Sequence, residues 1–535
     1  MLFTKEFVLC PKIKKSMKKI FLVAFLFVFN LTNAQKTSDI SVQKSMTPIV
    51  KEKVRTVFSF SAKDNTGGIF IGWEHKNGYI LEHYDKNLQL LKKEYISLYK
   101  RKESTEIIGS FVVGDSLCLI ERFSNFKNKS IDYNAHMGKI DDFQFKKSVL
   151  VSVPFEKSRH RNNSVFSNPE FQFPEFHLSE NNTYFTLAID IFNRKQKEIQ
   201  FYTFDSHLHK KNQFNFDRDI KKRKFILQNT IVDSVDGTFY FLAKVYAKEN
   251  KKNKKGGKYQ YEIYKINNKG VNKITLNVNE KYIASLKIAK NDKNMICVGF
   301  YSDKGEKFFS GTSYFAVDLK SFTINKETFS PFTKQFYLDK YGKNQPKELK
   351  HLEIQSVFFT KDNETVIHAE EININSADVV SGVLAFNFGL MGGLMASSIP
   401  YYLDIVAVKL NDKGEIIWSR NINKEQLGGN MPYYSYQSLY VNDVNYFIFY
   451  ASSIKKLIRN RVLFTTYLTS KPDLYLVSTN GLNEIFYQKI VEKDKTKMVF
   501  DIQNAIKENQ DRTIVFPGNR GFKKQLLKVV IGVGN

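Results

Sequence analysis

"DIVAVKLNDKGEIIWSRNI", residues 404–422, decides the fold. Seven residues of near-continuous apolar character lead into a polar, Gly-containing turn and a second apolar run. That pattern predicts a β-hairpin. The same form recurs as "YILEHYDKNLQLLKKEYI" (79–96), "FYTFDSHLHKKNQFNF" (201–216), "YEIYKINNKGVNKITLNV" (261–278), "YFAVDLKSFTINKETF" (314–329) and "DLYLVSTNGLNEIFYQKIV" (473–491). A weaker copy is "IDYNAHMGKIDDFQFKKSVLV" (131–151). Each copy follows a second strand pair broken by an Asn/Asp/Gly turn, as in "EIQSVFFTKDNETVIHAEEI" (353–372).

The repeating unit is therefore four strands, A to D. Seven units run from about 57 to 492, and 498–531 supplies strands A to C of an eighth. The missing strand is expected from 39–50, which would close a ring. Four-stranded antiparallel units around an axis make a β-propeller. The expected fold is all-β, a propeller of seven to eight blades with eight favoured, spanning 35–535 as one domain. Strands such as Ile405–Val408, apolar on both faces, suit blades packed on both sides. The rival arrangement is a stack of two sandwiches.

Residues 1–34 have the form of a signal peptide. Lys12, Lys14, Lys15, Lys18 and Lys19 precede the apolar run Ile20–Phe29, and "TNA" ends at Ala34. Ten apolar residues are short for a membrane span. The mature chain is expected to be exported and without a transmembrane helix. Because the C-terminal strand leaves no room for a sorting domain, the periplasm or outer membrane is expected rather than the medium.

The formal charge is +27. The leader carries six lysines and one glutamate, which leaves +22. Lys outnumbers Arg among abundant Asn, Ile and Phe, the composition of an AT-rich genome. The surplus is read mainly as composition and solubility. An anionic surface is the partner class it would suit, and nucleic acid is not expected. Cys118 and Cys297 both fall on strand B, of units two and five. Two blades between them exclude a disulfide.

"DIVAVKLNDKGEIIW", and "CVGFYSDKG" (297–305) followed by "GTSYFAVDL" (311–319), resemble the blade pattern of exported bacterial β-propellers of the PQQ-like and related repeat types. The resemblance implies the fold. It implies no cofactor or active site, because only one unit keeps the blade-docking tryptophan, Trp418.

Motifs for chemistry are sparse. There is no phosphate loop, HExxH, CxxC or GxSxG. His207 and His209 share a C–D turn but lack a third ligand, so no metal is expected. "SAKDNTGG" (61–68) and "DSVDG" (233–237) are hairpin turns without a calcium loop's spacing. Glu74, Glu121, Asp190, Glu370 and Glu371 end strands B and would share one rim, where paired carboxylates could act as acid and base. No catalytic residue is assigned to them.

Long B–C and D–A connections place elaboration on one face. Two B–C loops are the candidate interaction sites. One is "KENKKNKKGGK" (248–258), with Lys251, Lys252, Lys254, Lys255 and Lys258 suited to an anionic surface. The other is the uncharged "VVSGVLAFNFGLMGGLMASSI" (379–399), with Leu384, Phe386, Phe388, Leu390, Met391, Leu394 and Met395. It would be either an exposed partner surface or a buried plug. The expected function is an interaction module that binds an envelope protein or glycan. The alternatives are a glycan or peptide hydrolase or lyase at the channel mouth, and a structural scaffold. A charged, clustered channel lining would favour the enzyme.

Overall fold

The computed structural model describes residues 41–75, 78–97, 104–154, 175–192, 197–217, 225–246, 259–276, 281–291, 294–303, 308–345, 349, 351–374, 400–427, 432–467, 471–481, 485–496, 498–508 and 512–532. Eight antiparallel sheets follow one another along the chain. Blade one is A (Val57–Lys63), B (Ile69–His75), C (Gly78–Tyr84) and D (Leu90–Ile96). Blades two to seven span 104–154, 176–217, 225–276, 281–331, 352–426 and 437–491. Blade eight takes A (Ile506–Glu508), B (Thr513–Arg520) and C (Lys523–Ile531) from the C-terminus. Its strand D is Val42–Met46, in register from Val42 opposite Ile531 to Met46 opposite Leu527. The protein is an eight-bladed β-propeller, closed by the strand borrowed from the other end of the chain.

Closure shows in the core as well as in the ladder. Eight apolar clusters fill the eight joints between successive blades. The joint of blades three and four is aromatic, with Phe241 stacked on Tyr264 at 4.6 Å and Phe201 5.0 Å from Phe239. Offset and edge-on ring pairs add to simple burial. The closing joint of blades eight and one is small, built on Ile71, Trp73, Val515 and Leu526. Charge reinforces it. Glu82 accepts from Trp73 Nε1 at 2.8 Å and from Tyr84 Oη at 3.0 Å, and it pairs with Lys524 at 2.9 Å. Lys524 also pairs with Glu52, just beyond the borrowed strand.

Two local devices repeat. The C–D turns open on Asp or Asn at 85, 205, 267, 318 and 411, whose side chains accept backbone N–H groups two residues on. A left-handed residue follows at Leu88, Leu208, Gly270, Phe322 or Gly414. The inner strands A of blades one, two, four, five and six each carry a β-bulge, as between Ile354 and Ser356. A bulge bends the strand and frees a residue from the ladder.

Cys118 and Cys297 are free and buried in separate joints. Trp418 packs into the joint of blades six and seven. A Cβ on Gly481 would stand 2.4 Å from its ring, and φ is 84° there, so glycine serves both the turn and the contact.

Blade six departs from the plan. Its sheet has six strands. A hairpin inserted between strands B and C of blade seven, Ser453–Lys456 and Val462–Thr466, adds to strand D of blade six (Ile416–Gln426). The pairing is parallel, from Asn423 opposite Leu463 to Gln426 opposite Thr466. Helix α1 (Lys334–Tyr341), in the connection from blade five, packs on the middle of that strand, at Arg420 and Asn423. No helix among the described residues is long and apolar enough to cross a membrane.

Candidate functional site: a cationic cleft beside blade six

The acids at the ends of strands B are not brought together. Glu74 is exposed on blade one. Glu121 is buried in blade two, bonded to His136 and Asn134 at 2.9 Å and to Thr105 at 2.6 Å. Burial raises its pKa, but the bonds to these groups and the charge of His136 outweigh that and hold it down at about 2. Glu370 is fully buried against Lys424 at 2.7 Å and accepts from Ser435. Glu371 pairs with Lys340. The side chain of Asp190 lies outside the described residues. Glu121, Glu370 and Glu371 are thus tied up by partners in the protein, which is structural use.

His207 and His209 sit on a turn whose N–H groups Asp205 accepts, and both are exposed. Among the described residues no three His, Cys, Asp or Glu side chains are grouped to hold a metal. The loops 248–258 and 379–399, with all twelve candidate interaction residues, lie outside the described residues.

The channel wall is charged. Lys63 of blade one pairs with Glu508 of blade eight. Lys287 of blade five donates to the Gln355 carbonyl of blade six at 2.9 Å. Lys507 of blade eight reaches the Ser356 hydroxyl at 3.3 Å. Glu353 is reached by water yet enclosed by protein, and burial followed by the nearby Glu370 raises its pKa.

Among the described residues the fold builds a cleft of about 650 Å³ at the outer edge of blade six. Helix α1 forms one wall. Thr333 caps its N-terminus, and Gly342, at φ 68°, ends it. Phe336 stacks on Phe332 at 4.2 Å and anchors it to the core. This orientation turns Asp339 toward Arg420 on strand D. The guanidinium grips the carboxylate through Nε at 2.6 Å and Nη2 at 3.3 Å. Gln335 donates to the same carboxylate at 2.8 Å, and Asn423 donates to the Asp339 carbonyl at 2.9 Å.

The inserted hairpin forms the other wall. Arg459 and Asn460 are consecutive left-handed residues and make its tight turn. Arg461 donates from Nη1 to the Lys340 carbonyl at 2.9 Å, a cation at the negative end of α1. A Cβ on Gly342 would come within 3.0 Å of that guanidinium, so glycine also makes room for it.

Arg420, Arg461, Lys456 and Arg459 line the cleft against one carboxylate, Asp339, already held by Arg420. Lys456 and Arg459 stand exposed at the mouth. Ile422, Phe464 and Ile485 supply an apolar wall. A concave surface with few polar anchors and apolar walls is the form of a ligand pocket. Its charged lining is mostly cationic, and an arginine is a group that can hold a carboxylate or phosphate through two parallel hydrogen bonds. No local motif signals it, since its residues come from 335 to 485.

No family model matches the sequence, and no curated protein matches it. Solved propellers resemble the structure distantly. The β-propeller domain of the Trilobed protease from Pyrococcus furiosus has a TM-score of 0.36 at 7% identity, covering 82% of this chain and 99% of that one. Oligogalacturonate lyase from Vibrio parahaemolyticus has a TM-score of 0.37 at 9% identity, covering 93% and 95%. Prolyl oligopeptidase B from Galerina marginata has a TM-score of 0.37 at 9% identity, covering 88% and 55%, so this chain spans about half of that enzyme's length. Likeness at this level transfers no chemistry.

Proposed function

We propose that the protein is an exported binding propeller of the cell envelope, and that the cleft beside blade six holds an anionic group of a protein or glycan partner. One observation carries this. The helix and the inserted hairpin depart from the four-stranded plan at the same place, and together they gather four cations, two of them exposed at the mouth, around one carboxylate. Additions to a rigid scaffold are where binding residues concentrate. Export rests on the leader-like residues 1–34 and on the blade pattern's resemblance to exported propellers. The lysines of 248–258 and the apolar residues of 379–399 are proposed as further contacts for the same partner.

The test reverses the mouth of the cleft. Lys456→Glu with Arg459→Glu should leave the melting temperature within a few degrees, since both side chains are exposed. Affinity for an acidic peptide or a sulfated oligosaccharide at low salt should drop at least about tenfold, as expected for losing charge complementarity. Unchanged affinity would remove the cleft from the account.

The enzymic alternative has a specific observation in its favour, the charged channel wall. Burial first, and then the charge of Lys287, bring the Lys507 ammonium down to about 8. A lysine near neutrality can serve as a base. Turnover of a glycan or peptide that disappears in Lys507→Met, with cleft variants fully active, would select this reading over the first.

A further inference from the structure

Three inner strands converge on one point of the central channel. The bulge in strand A of blade six (Leu352–Phe359) leaves Gln355 without a partner on strand B, and its carbonyl accepts the Lys287 ammonium. The next residue, Ser356, receives Lys507 from blade eight. Two lysines from blades three apart in the ring thus end on adjacent residues.

Among the described residues neither lysine has a carboxylate partner. The nearest acid on the same strand as Lys507, Glu508, is taken by Lys63, which also bonds the Lys507 carbonyl. Behind Ser356 lies His368, fully buried, bonded to Asn445 at 2.8 Å, and brought by burial to about 3, so it is neutral at pH 7. Water reaches both ammonium groups, but protein encloses them. Two enclosed like charges with only neutral acceptors repel each other and have lost much of their hydration. A ligand bearing negative oxygen atoms would relieve both costs.

We propose that Lys287 and Lys507 form an anion site in the central channel, taking a carboxylate or phosphate group on their two ammonium groups. The site shares no residue with the cleft and stands whether or not the cleft binds a partner. Gln355 and Ser356 fix the lysine tips, so the charges are in place before the ligand arrives. Among the described residues the charged neighbours of the pair are each other, the Lys63–Glu508 pair, and Glu353, two residues before Gln355 on the same strand. Of these, Lys507 is the group that discharges nearest neutrality, so anion affinity should fall as pH rises through about 8.

Calorimetric titration with inorganic phosphate and with malonate, at fixed ionic strength, separates the two ligand sources. At least one should bind in the millimolar range or tighter at about pH 7 and at least about tenfold more weakly near pH 9.5, where Lys507 has lost its proton. Lys287→Met with Lys507→Met should abolish binding and raise the melting temperature, because the repulsion is gone. Lys507→Arg, which keeps its charge, should restore binding near pH 9.5 and serves if the double variant fails to fold. Binding that survives the double variant, binding indifferent to pH, or no binding of either anion would overturn the proposal.

Discussion

Strand D of blade one and strand D of blade six hold the same place in their repeats and meet opposite fates. The first, "LLKKEYI", is exposed or half-exposed at every residue. The second, "IIWSRNINKEQ", is buried over most of its length. Both carry charged residues, so composition does not decide burial. On blade one the lysines reach water, and Lys92 meets Glu94 at 3.1 Å as an ordinary surface pair. On blade six the inserted hairpin and helix α1 close over the strand. Arg420, Asn421, Asn423, Lys424 and Gln426 are buried, and each has a partner: Asp339, Asp404, the Asp339 carbonyl, Glu370 and the Tyr450 carbonyl. A covered strand edge must satisfy its polar groups internally. The propeller's outer edge can thus be built upon, and the cationic cleft forms where one edge is covered with polar partners.

The largest expected effect comes from uncovering the edge. Replacing residues 453–466 by a short Gly/Ser link removes Phe464 from a joint and exposes a long unpaired strand. We expect association or precipitation, seen by size-exclusion chromatography, as unprotected edges recruit other strands. A monomeric product with the parent melting temperature would break the comparison.

Next is the pair inside the covered edge. Glu370→Ala leaves Lys424 charged and fully buried, and burial already pulls that lysine below its ordinary pKa against the attraction of Glu370. The expected loss is about 3–5 kcal/mol. Lys424→Met with Glu370→Leu should recover most of it. On the open edge of blade one, Lys92→Ala should cost less than about 1 kcal/mol. Urea melts of the variants supply the contrast.

Smaller effects follow at the neighbouring joint of blades six and seven. His368 is held neutral there, with its pKa lowered from 6.5 to about 3. Its contribution to stability is complete above pH 6.5 and is lost as pH falls toward 3, because the unfolded chain takes up the proton first. The cost is on the order of a few kcal/mol across that window. His368→Gln should flatten the stability profile between about pH 6.5 and 4, and an unchanged slope would contradict the assignment. Gly481→Ala, which sets a methyl group against Trp418 at positive φ, should cost about 1–3 kcal/mol by thermal melting.

The sequence made the blades legible because their signals are local. Alternating apolar runs and Asp/Asn turns mark each hairpin, and the incomplete unit at 498–531 called for the strand at 39–50. Cys118 and Cys297 followed from the register. The cover of blade six was not legible. Helix α1 has only eight residues, and Thr333 and Gly342 were the only marks of its ends. The hairpin at 453–466 reads as a connection within blade seven, yet it pairs with blade six. Strand D of blade six reads as the second strand of a hairpin, but nothing local marks its burial, since the hairpin and helix that cover it lie about 40 and about 80 residues away. The cleft and the channel lysines share that cause, each residue being ordinary in its own strand. The rim acids shared a sequence position, but Glu121 is bound within blade two, Glu370 and Glu371 pair with lysines of blade six and of α1, and Glu74 stands exposed on blade one.

Blade six has a covered outer edge, and the cleft is built on it. Hydrogen exchange measured by mass spectrometry on the whole native protein tests it directly. Within 416–426, the amides from Trp418 onward should exchange as slowly as those of the buried strand Thr365–Ile374, because strand C lies on one side and α1 or the hairpin on the other. Amides of 90–96, paired on one side only, should exchange much faster. Equal, rapid exchange of 416–426 and 90–96 would contradict the account.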